Sequence, residues 1–421
     1  MKNETRNNNK MIRPEIVIAT AALLSVLSCS APVKETRGIT ERVTGRDYPS
    51  VFQAWYPVDM QEFPLETNQQ RVAVAAKHDL IFEEPLSQLG EGYDLVLGLV
   101  WDHKHHGLAG SFTTESLDQA LANRREALKI NPNMVFLFEI RWRDAPMSFL
   151  PEDSPWWLRD SSGTIVKGWL GGWEPFYKLN YDNPEFQDNV ARQAKISIES
   201  GVYDGVMLDW SGHLEIIKKI RNAIGDSALI MVNIHDDIED GRLYKDYING
   251  SFMELNPADS LSMPVEDLVL FSREDVNRRS WDRIREALVW FEDSLQKPTV
   301  NCLEVWGNRD DLQRMRATTT LGLTHSNGFV LYADPNPLKT PDHLHDWYPF
   351  WDAGLGKPLG ERVDKEDGSS WREFEGGTVV YNHYSNPAVT VTFNEERKRA
   401  SDGSAGKEFT VARRDGDIFL K

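Results

Sequence analysis

Three acids stand where apolar runs end. Asp209 closes "YDGVMLD", Glu254 lies in "GSFMEL", and Glu304 lies in "PTVNCLEVW". A charge is rarely left at the edge of a core without a partner or a task. Side chains alternate along a strand. Asp209 therefore shares a face with Met207 and Gly205, Glu254 with Phe252, and Glu304 with Cys302 and Val300. Each carboxylate sits at one end of an otherwise apolar face. Two carboxylates opposed across a cleft suit the cleavage of glycosidic bonds. One carries the proton to the leaving oxygen, and the other attacks the sugar or activates water.

Tryptophan follows the same geography, with Trp55, Trp101, Trp142, Trp210 and Trp306 each at the end of a different apolar run. Flat aromatic faces suit the apolar faces of sugar rings, and an indole N–H can donate to a hydroxyl. Glu139 and Arg141 in "MVFLFEIRW", and Asn233 and His235 in "ALIMVNIH", complete the candidate substrate contacts. A cation near Asp209 would keep it ionised. The plainer alternatives are rings plugging the rim of a core, Asp209 bridged to Arg141 or capping a helix, and Glu254 orienting Asn233. An acyl-transfer site would need a nucleophile elbow, and no G-x-S-x-G is present. "DHKHH" (Asp102–His106) and "HLHD" (His343–Asp346) lack the spacing of a metal motif, so neither a metal nor a cofactor is expected.

The elements that must position these residues alternate between short apolar runs and amphipathic ones. Strands are expected over Val51–Trp55, Tyr93–Trp101, Met134–Trp142, Tyr203–Asp209, Ala228–His235, Gly250–Leu255, Pro298–Trp306 and Gly328–Pro335. Helices are expected over Gln69–Leu80, Leu117–Ile130, Glu185–Ser200, Leu214–Ile224, Trp281–Ser294 and near Leu312–Leu323. Eight such strands fit an α/β fold, a (β/α)8 TIM barrel over residues 48–355, whose strands carry the site at their carboxyl ends. A doubly wound open sheet would need a glycine-rich phosphate turn after the first strand, and none is there. The long loop after the third strand holds "RDSSG" (Arg159–Gly163) and would bring Trp156, Trp157, Trp169 and Trp173 towards the cleft. After Gly356 alternating residues and turn signals predict a small antiparallel β domain, residues 356–421.

The 421 residues carry a net charge of -18, so no basic field exists to attract nucleic acid or polyanionic substrates. Residues 1–28 look like a lipoprotein signal: Lys2, Arg6, Lys10 and Arg13 precede a short apolar run that ends in "VLSC". Cleavage would leave Cys29 as a lipidated first residue, tethering the protein to the bacterial envelope through residues 29–47. An ordinary secretory signal is the alternative. Only Cys302 then remains, so no intrachain disulfide can form.

"WWLRDSSGTIVKGW", "LNYDNPEFQDNVARQ" and "YDGVMLDW", in that order, resemble bacterial glycoside-hydrolase barrels, especially the hypothetical glycosyl hydrolase family 15 group. They are similar more distantly to endo-α-1,4-polygalactosaminidase and α-galactosidase-type barrels. "REFEGGTVVYN" resembles the β domains that follow such barrels. The resemblance implies that the acid ending the fourth strand, Asp209, is catalytic. It also implies a partner acid after the sixth strand, which is Glu254 here, a Glu where the group has Asp. Glu304 is its rival. The expectation is a glycoside hydrolase acting on an oligo- or polysaccharide, with no nucleic-acid or obligate protein partner. The alternatives are a glycan-binding barrel without activity and a metal-dependent hydrolase.

Overall fold

Short, continuously apolar runs form a parallel sheet buried on both faces, as such runs should. The structure, a computed structural model, describes residues 37–55, 67–84, 96–170, 175–258, 278–334 and 343–421. Cys29, the signal segment and Trp173 lie outside the described residues. Strands β1 (Phe52–Ala54), β2 (Leu80–Glu83) and β3 (Val135–Glu139) start the sheet. β4 (Asp144–Pro146) and β5 (Phe176–Lys178) form a separate antiparallel hairpin. β6 (Gly205–Leu208), β7 (Leu229–Asn233), β8 (Gly250–Ala258), β10 (Cys302–Trp306) and β11 (Phe329–Ala333) complete the sheet, and β9 (Arg278–Ser280) pairs with β8. A parallel bridge between Val51 and Val330 closes β11 onto β1. The result is the expected eight-stranded barrel.

Helices α1 (Ile39–Gly45), α2 (Asn68–Ala75), α3 (Thr114–Ile130), α4 (Pro184–Glu199), α5 (Leu214–Ile224), α6 (Ile238–Tyr244), α7 (Trp281–Ser294) and α8 (Leu312–His325) surround it. Their starts are legible in side-chain chemistry. Asn183 caps α4 ahead of Pro184, and Asp311 caps α8 by accepting from the amide of Arg314. α5 buries Ile216, Ile217, Ile220 and Ile224 along one stripe.

The second strand is not the one expected. Val96–Trp101, the described part of the expected Tyr93–Trp101 strand, contribute none to the barrel. Tyr93 to Leu95 lie outside the described residues, and Val96 and Leu97 give their amides to the buried Glu83 carboxylate rather than to a neighbouring strand. Burial pushes that carboxyl up to about 7. Gly98, at φ 75°, then turns the chain away. The true second strand is "LIFE" (Leu80–Glu83), of which the expected helix takes in only Leu80. A buried loop and a buried strand are equally apolar, so pattern alone does not separate them.

Ala54, Phe82, Leu137 and Gly205 stand in register across β1, β2, β3 and β6. Phe52, Phe82 and Phe252 meet inside the barrel, with ring centroids 5.3 to 6.2 Å apart. Truncating any one to Ala would cost about 3–5 kcal/mol.

The expected tether is partly folded. α1 lies within it, and Arg42 and Arg46 are buried. Asp204 accepts from Arg42 and from Arg124 of α3 (2.8 Å), and takes the amide of Phe136 at 2.9 Å. It thereby joins α1, α3 and β3 to the start of β6.

β12 (Val363–Asp364), β13 (Ser369–Phe374), β14 (Gly377–Asn382), β15 (Val389–Arg399), β16 (Ala405–Val411) and β17 (Asp415–Leu420) form the expected antiparallel sheet. It docks on α8. Arg372 donates to the carbonyls of Leu323 (3.0 Å) and Ser326 (2.8 Å) at the helix end, and Arg316 forms a two-pronged pair with Asp415. Residues 37–421 form a single compact unit.

Burial alone would raise the Asp204 carboxyl, but the Arg124 and Arg42 guanidinium groups outweigh it and hold it below the usual carboxylate range. Its contribution is thus present above the unfolded-state value near 4 and lost as pH falls through the folded value. Asp204→Ala should cost about 3–5 kcal/mol at pH 7, because two arginines lose their buried partner. Urea denaturation checks this, and a loss below 1 kcal/mol would contradict it.

Candidate active site

Strand parity puts one side chain of every second residue inside the barrel. The register aligns Glu139 with Met207, Asn233 with Phe252, and Glu304 with Glu254. Because Phe252 points inward, so do Asn233, Glu254 and Glu304. Asp209 follows β6 with the parity of Met207. The carboxyl end of the barrel is therefore lined with acids above an apolar floor.

A near-continuous set of contacts links them. Glu139 accepts from the indole N–H of Trp55, whose ring lies 4.8 Å from that of His343. His343 Nδ1 stands 2.8 and 3.0 Å from the two oxygens of Glu304. Glu304 neighbours Glu254, whose Oε2 accepts from Asn233 Nδ2 at 3.1 Å. The same nitrogen donates to Asp209 Oδ1 at 2.8 Å. The Asp209 carbonyl accepts from Trp142 Nε1 at 2.7 Å. Arg141, next to Trp142, forms a two-pronged pair with Glu84 and lies 3.5 Å from Glu139. Arg141 is thus committed to Glu84 and Glu139, and no bridge from it to Asp209 forms.

Electrostatics follow from this crowding. Burial raises Glu139 well above its ordinary value against the pull of Arg141, and raises Glu84 in the same way. Burial would lower Arg141, but Glu139 and Glu84 hold it above its usual range. Cys302, on the floor below, is raised well above a normal thiol by burial.

The backbone is strained here. Among the described non-glycine residues with positive φ, Trp55 (47°), Trp210 (64°), Ser211 (61°), His235 (53°) and His343 (61°) all follow strand ends at this mouth. Trp210, Ser211 and Gly212 make three successive left-handed residues directly after Asp209. Such runs are costly for residues with a Cβ. They are held by the Ser211 amide on the Asn233 carbonyl (2.7 Å) and by Tyr244 Oη on the Ser211 carbonyl (3.0 Å). The turn aims Trp210 under the guanidinium of Arg143, 4.1 Å from the ring centre.

The five indoles do not form one ring of exposed faces. Trp55 and Trp210 are partly exposed, whereas Trp142 and Trp306 are buried. Trp101 closes no barrel strand. It stacks on Phe112 at 4.0 Å and meets Phe138 edge-on, and Phe138 has the outward parity, opposite to Leu137 and Glu139. Trp101 therefore belongs to the layer between the sheet and α3. His235 is placed by its backbone, its amide on the Phe252 carbonyl and its carbonyl on Ser251 Oγ.

Among the described residues no three His, Cys, Asp or Glu side chains gather in a metal-binding arrangement. His103 Nδ1 serves its own turn, His105 reaches the Ser148 carbonyl, and His345 Nε2 lies 3.0 Å from His78 Nε2. Glu84, Arg143, Asp144 and His343 were missed as site residues in the sequence. The first follows a strand that pattern did not reveal, Asp144 opens a three-residue hairpin strand off the barrel, and Arg143 and His343 lie in loops, where no periodicity marks an inward side chain.

No protein-family model matches the chain, and no curated protein matches it in sequence. Solved structures do match in fold. A noncanonic maltogenic α-amylase from Thermotoga neapolitana is 11% identical, with a TM-score of 0.53 over 88% of this chain and 98% of that one. An α-amylase from Malbranchea cinnamomea is 12% identical, TM-score 0.53, over 91% and 97%. The isomaltulose synthase from Klebsiella sp. LX3 is 11% identical, TM-score 0.51, over 88% and 98%. At such identities the shared property is the fold, an α-amylase-like barrel with a C-terminal β domain.

Ser211→Gly relieves one left-handed residue of the turn that aims Asp209. The variant should gain about 0.5–1 kcal/mol of stability. A lower urea midpoint would show that the turn is unstrained.

Proposed function

We propose that this chain is a glycoside hydrolase in which Asp209 is the nucleophile and Glu254 the general acid/base. One observation carries the reading: a single amide nitrogen, Asn233 Nδ2, donates to both carboxylates, at 2.8 and 3.1 Å. An amide NH2 offers two donors about 120° apart, which puts the two accepting oxygens roughly 5 Å from each other. That separation suits a retaining mechanism, where about 5–5.5 Å leaves no room for an inverting water. The fold shared with α-amylases adds support.

In the first step Glu254 gives its proton to the glycosidic oxygen as Asp209 attacks the anomeric carbon. The leaving group departs protonated, and a glycosyl ester forms on Asp209. In the second step Glu254 takes a proton from water, which attacks the same carbon and frees Asp209. Asn233 holds both acids in place. Glu304, fully buried and joined to His343, is committed as a positioning group, which favours Glu254 as the acid/base. Trp55, Trp142, Trp210, Trp306, Glu139, Arg141 and His235 shape the surrounding wall. The assignment to the hypothetical glycosyl hydrolase family 15 group belongs to this same reading. So does attachment to the bacterial envelope through a lipid on Cys29.

The test is a screen of aryl glycosides and neutral oligosaccharides with wild type, Asp209→Asn and Glu254→Gln. Asp209→Asn should abolish turnover. Glu254→Gln should lose about 10²–10⁴-fold on poor leaving groups and far less on dinitrophenyl glycosides. Proton NMR should show the product anomer retained. Inverted product would remove Asp209 as nucleophile, and glycan binding without cleavage by wild type would favour a binding barrel.

A further inference from the structure

The two-acid reaction leaves one polar cluster beside Asp209 unused. Asp144 is only 1% exposed, yet its Oδ1 has no hydrogen-bond partner. Its other oxygen accepts from the amide of Trp169 at 3.0 Å. Arg143 Nη1 is likewise unpartnered, lying 3.5 Å from that second oxygen, too far for a hydrogen bond. A buried carboxylate oxygen and a buried guanidinium donor left unmade in one place cost stability unless something else satisfies them. The chain holds the arrangement deliberately close. A Cβ on Gly168 would fall 2.7 Å from the Asp144 carboxylate, so only glycine lets the loop pass over it. The guanidinium of Arg143 also covers the ring of Trp210, the residue after Asp209.

Resting on the hydrolase reading, we infer that Arg143, Asp144 and Trp210 form a binding site for a second sugar ring, adjoining the one held over Asp209 and Glu254. The chemistry is that of a neighbouring hydroxyl pair. One hydroxyl accepts from Arg143 Nη1 and the other donates to Asp144 Oδ1, while Trp210 supplies an apolar edge. The guanidinium and carboxylate neutralise each other, so the site fits a neutral sugar rather than a uronate or a sulfated one. A substrate of at least two units follows, with Arg143 and Asp144 as specificity residues outside the bond-breaking pair. The orphaned atoms lie just below the surface, so the sugar reaches them as the Trp169 backbone that covers Asp144 shifts.

The experiment compares neutral gluco- and galacto-tetrasaccharides with the p-nitrophenyl monoglycosides of the same sugars, using wild type, Arg143→Ala, Arg143→Lys and Asp144→Asn. kcat/KM on the tetrasaccharide should fall at least tenfold further than on the monoglycoside in Arg143→Ala. Asp144→Asn, which keeps an acceptor oxygen, should show a smaller gap. An equal fall on both substrates means a merely structural role and overturns the inference. If Asp144→Asn does not fold, the half-exposed Arg143 variants decide alone. If wild type cleaves no glycoside, calorimetric titration with the tetrasaccharides decides. Binding that weakens tenfold or more in Arg143→Ala upholds the sugar site while the hydrolase reading fails. Equal affinity in both proteins, or no binding in either, overturns the site.

Discussion

Two ionised carboxylates a few ångströms apart inside a protein repel each other unless a donor or a shared proton offsets the charge. Here that donor is the side-chain amide of Asn233, which gives both N–H bonds away, one to Asp209 and one to Glu254. A donating NH2 group in that position offsets their mutual repulsion and sets their spacing in one stroke. An aspartate there would add a third negative charge, and an alanine would let the two side chains drift. The rest of the mouth is arranged to keep this amide and its two partners from moving.

The arrangement works because the barrel makes parity and position the same thing. Successive parallel strands hold their residues in register, so an inward residue on one strand meets an inward residue on the next. Glu304 is thereby placed beside Glu254 and is then fixed by His343 rather than left to compete for the substrate. Arg141 is placed beside Glu139 and Glu84 in the same way. Arg141 balances Glu139 and Glu84, and His343 holds Glu304, so the groups around Asp209 and Glu254 are tied to one another. A field set by paired groups of this kind is the property that electrostatic preorganisation requires.

Strain is the cost of this precision. Left-handed residues directly follow β1 (Trp55), and lie just past β6 (Trp210, Ser211) and β7 (His235), where the chain leaves the barrel strands. The hairpin of β4 and β5 extends the third strand's loop, and its approach brings Arg143, Asp144 and Trp169 to the edge of the site. The β domain takes no visible part in the mouth. Its sheet packs on α8, whose end it covers through Arg372, and so it braces the helix between β10 and β11 from outside.

Alternating apolar and polar runs were enough to read an eight-stranded barrel with a β domain after it, and to find Asp209, Glu254 and Glu304 on inward faces. Those facts depend on neighbours in the chain, where strand parity is local. The misplaced second strand shows the limit, since a buried loop and a buried strand both consist of apolar residues. The same limit hid Trp101's place outside the barrel and the ordered α1 within the expected tether. Which acid faces which, that Asn233 joins two of them, that His343 claims Glu304, and that Arg143 Nη1 and Asp144 Oδ1 are left without hydrogen bonds near Trp210 were decided by tertiary structure alone. These contacts join residues 21 positions apart, as with Asn233 and Glu254, to 57 apart, as with Glu84 and Arg141, and only the closing of the barrel brings them within hydrogen-bond reach.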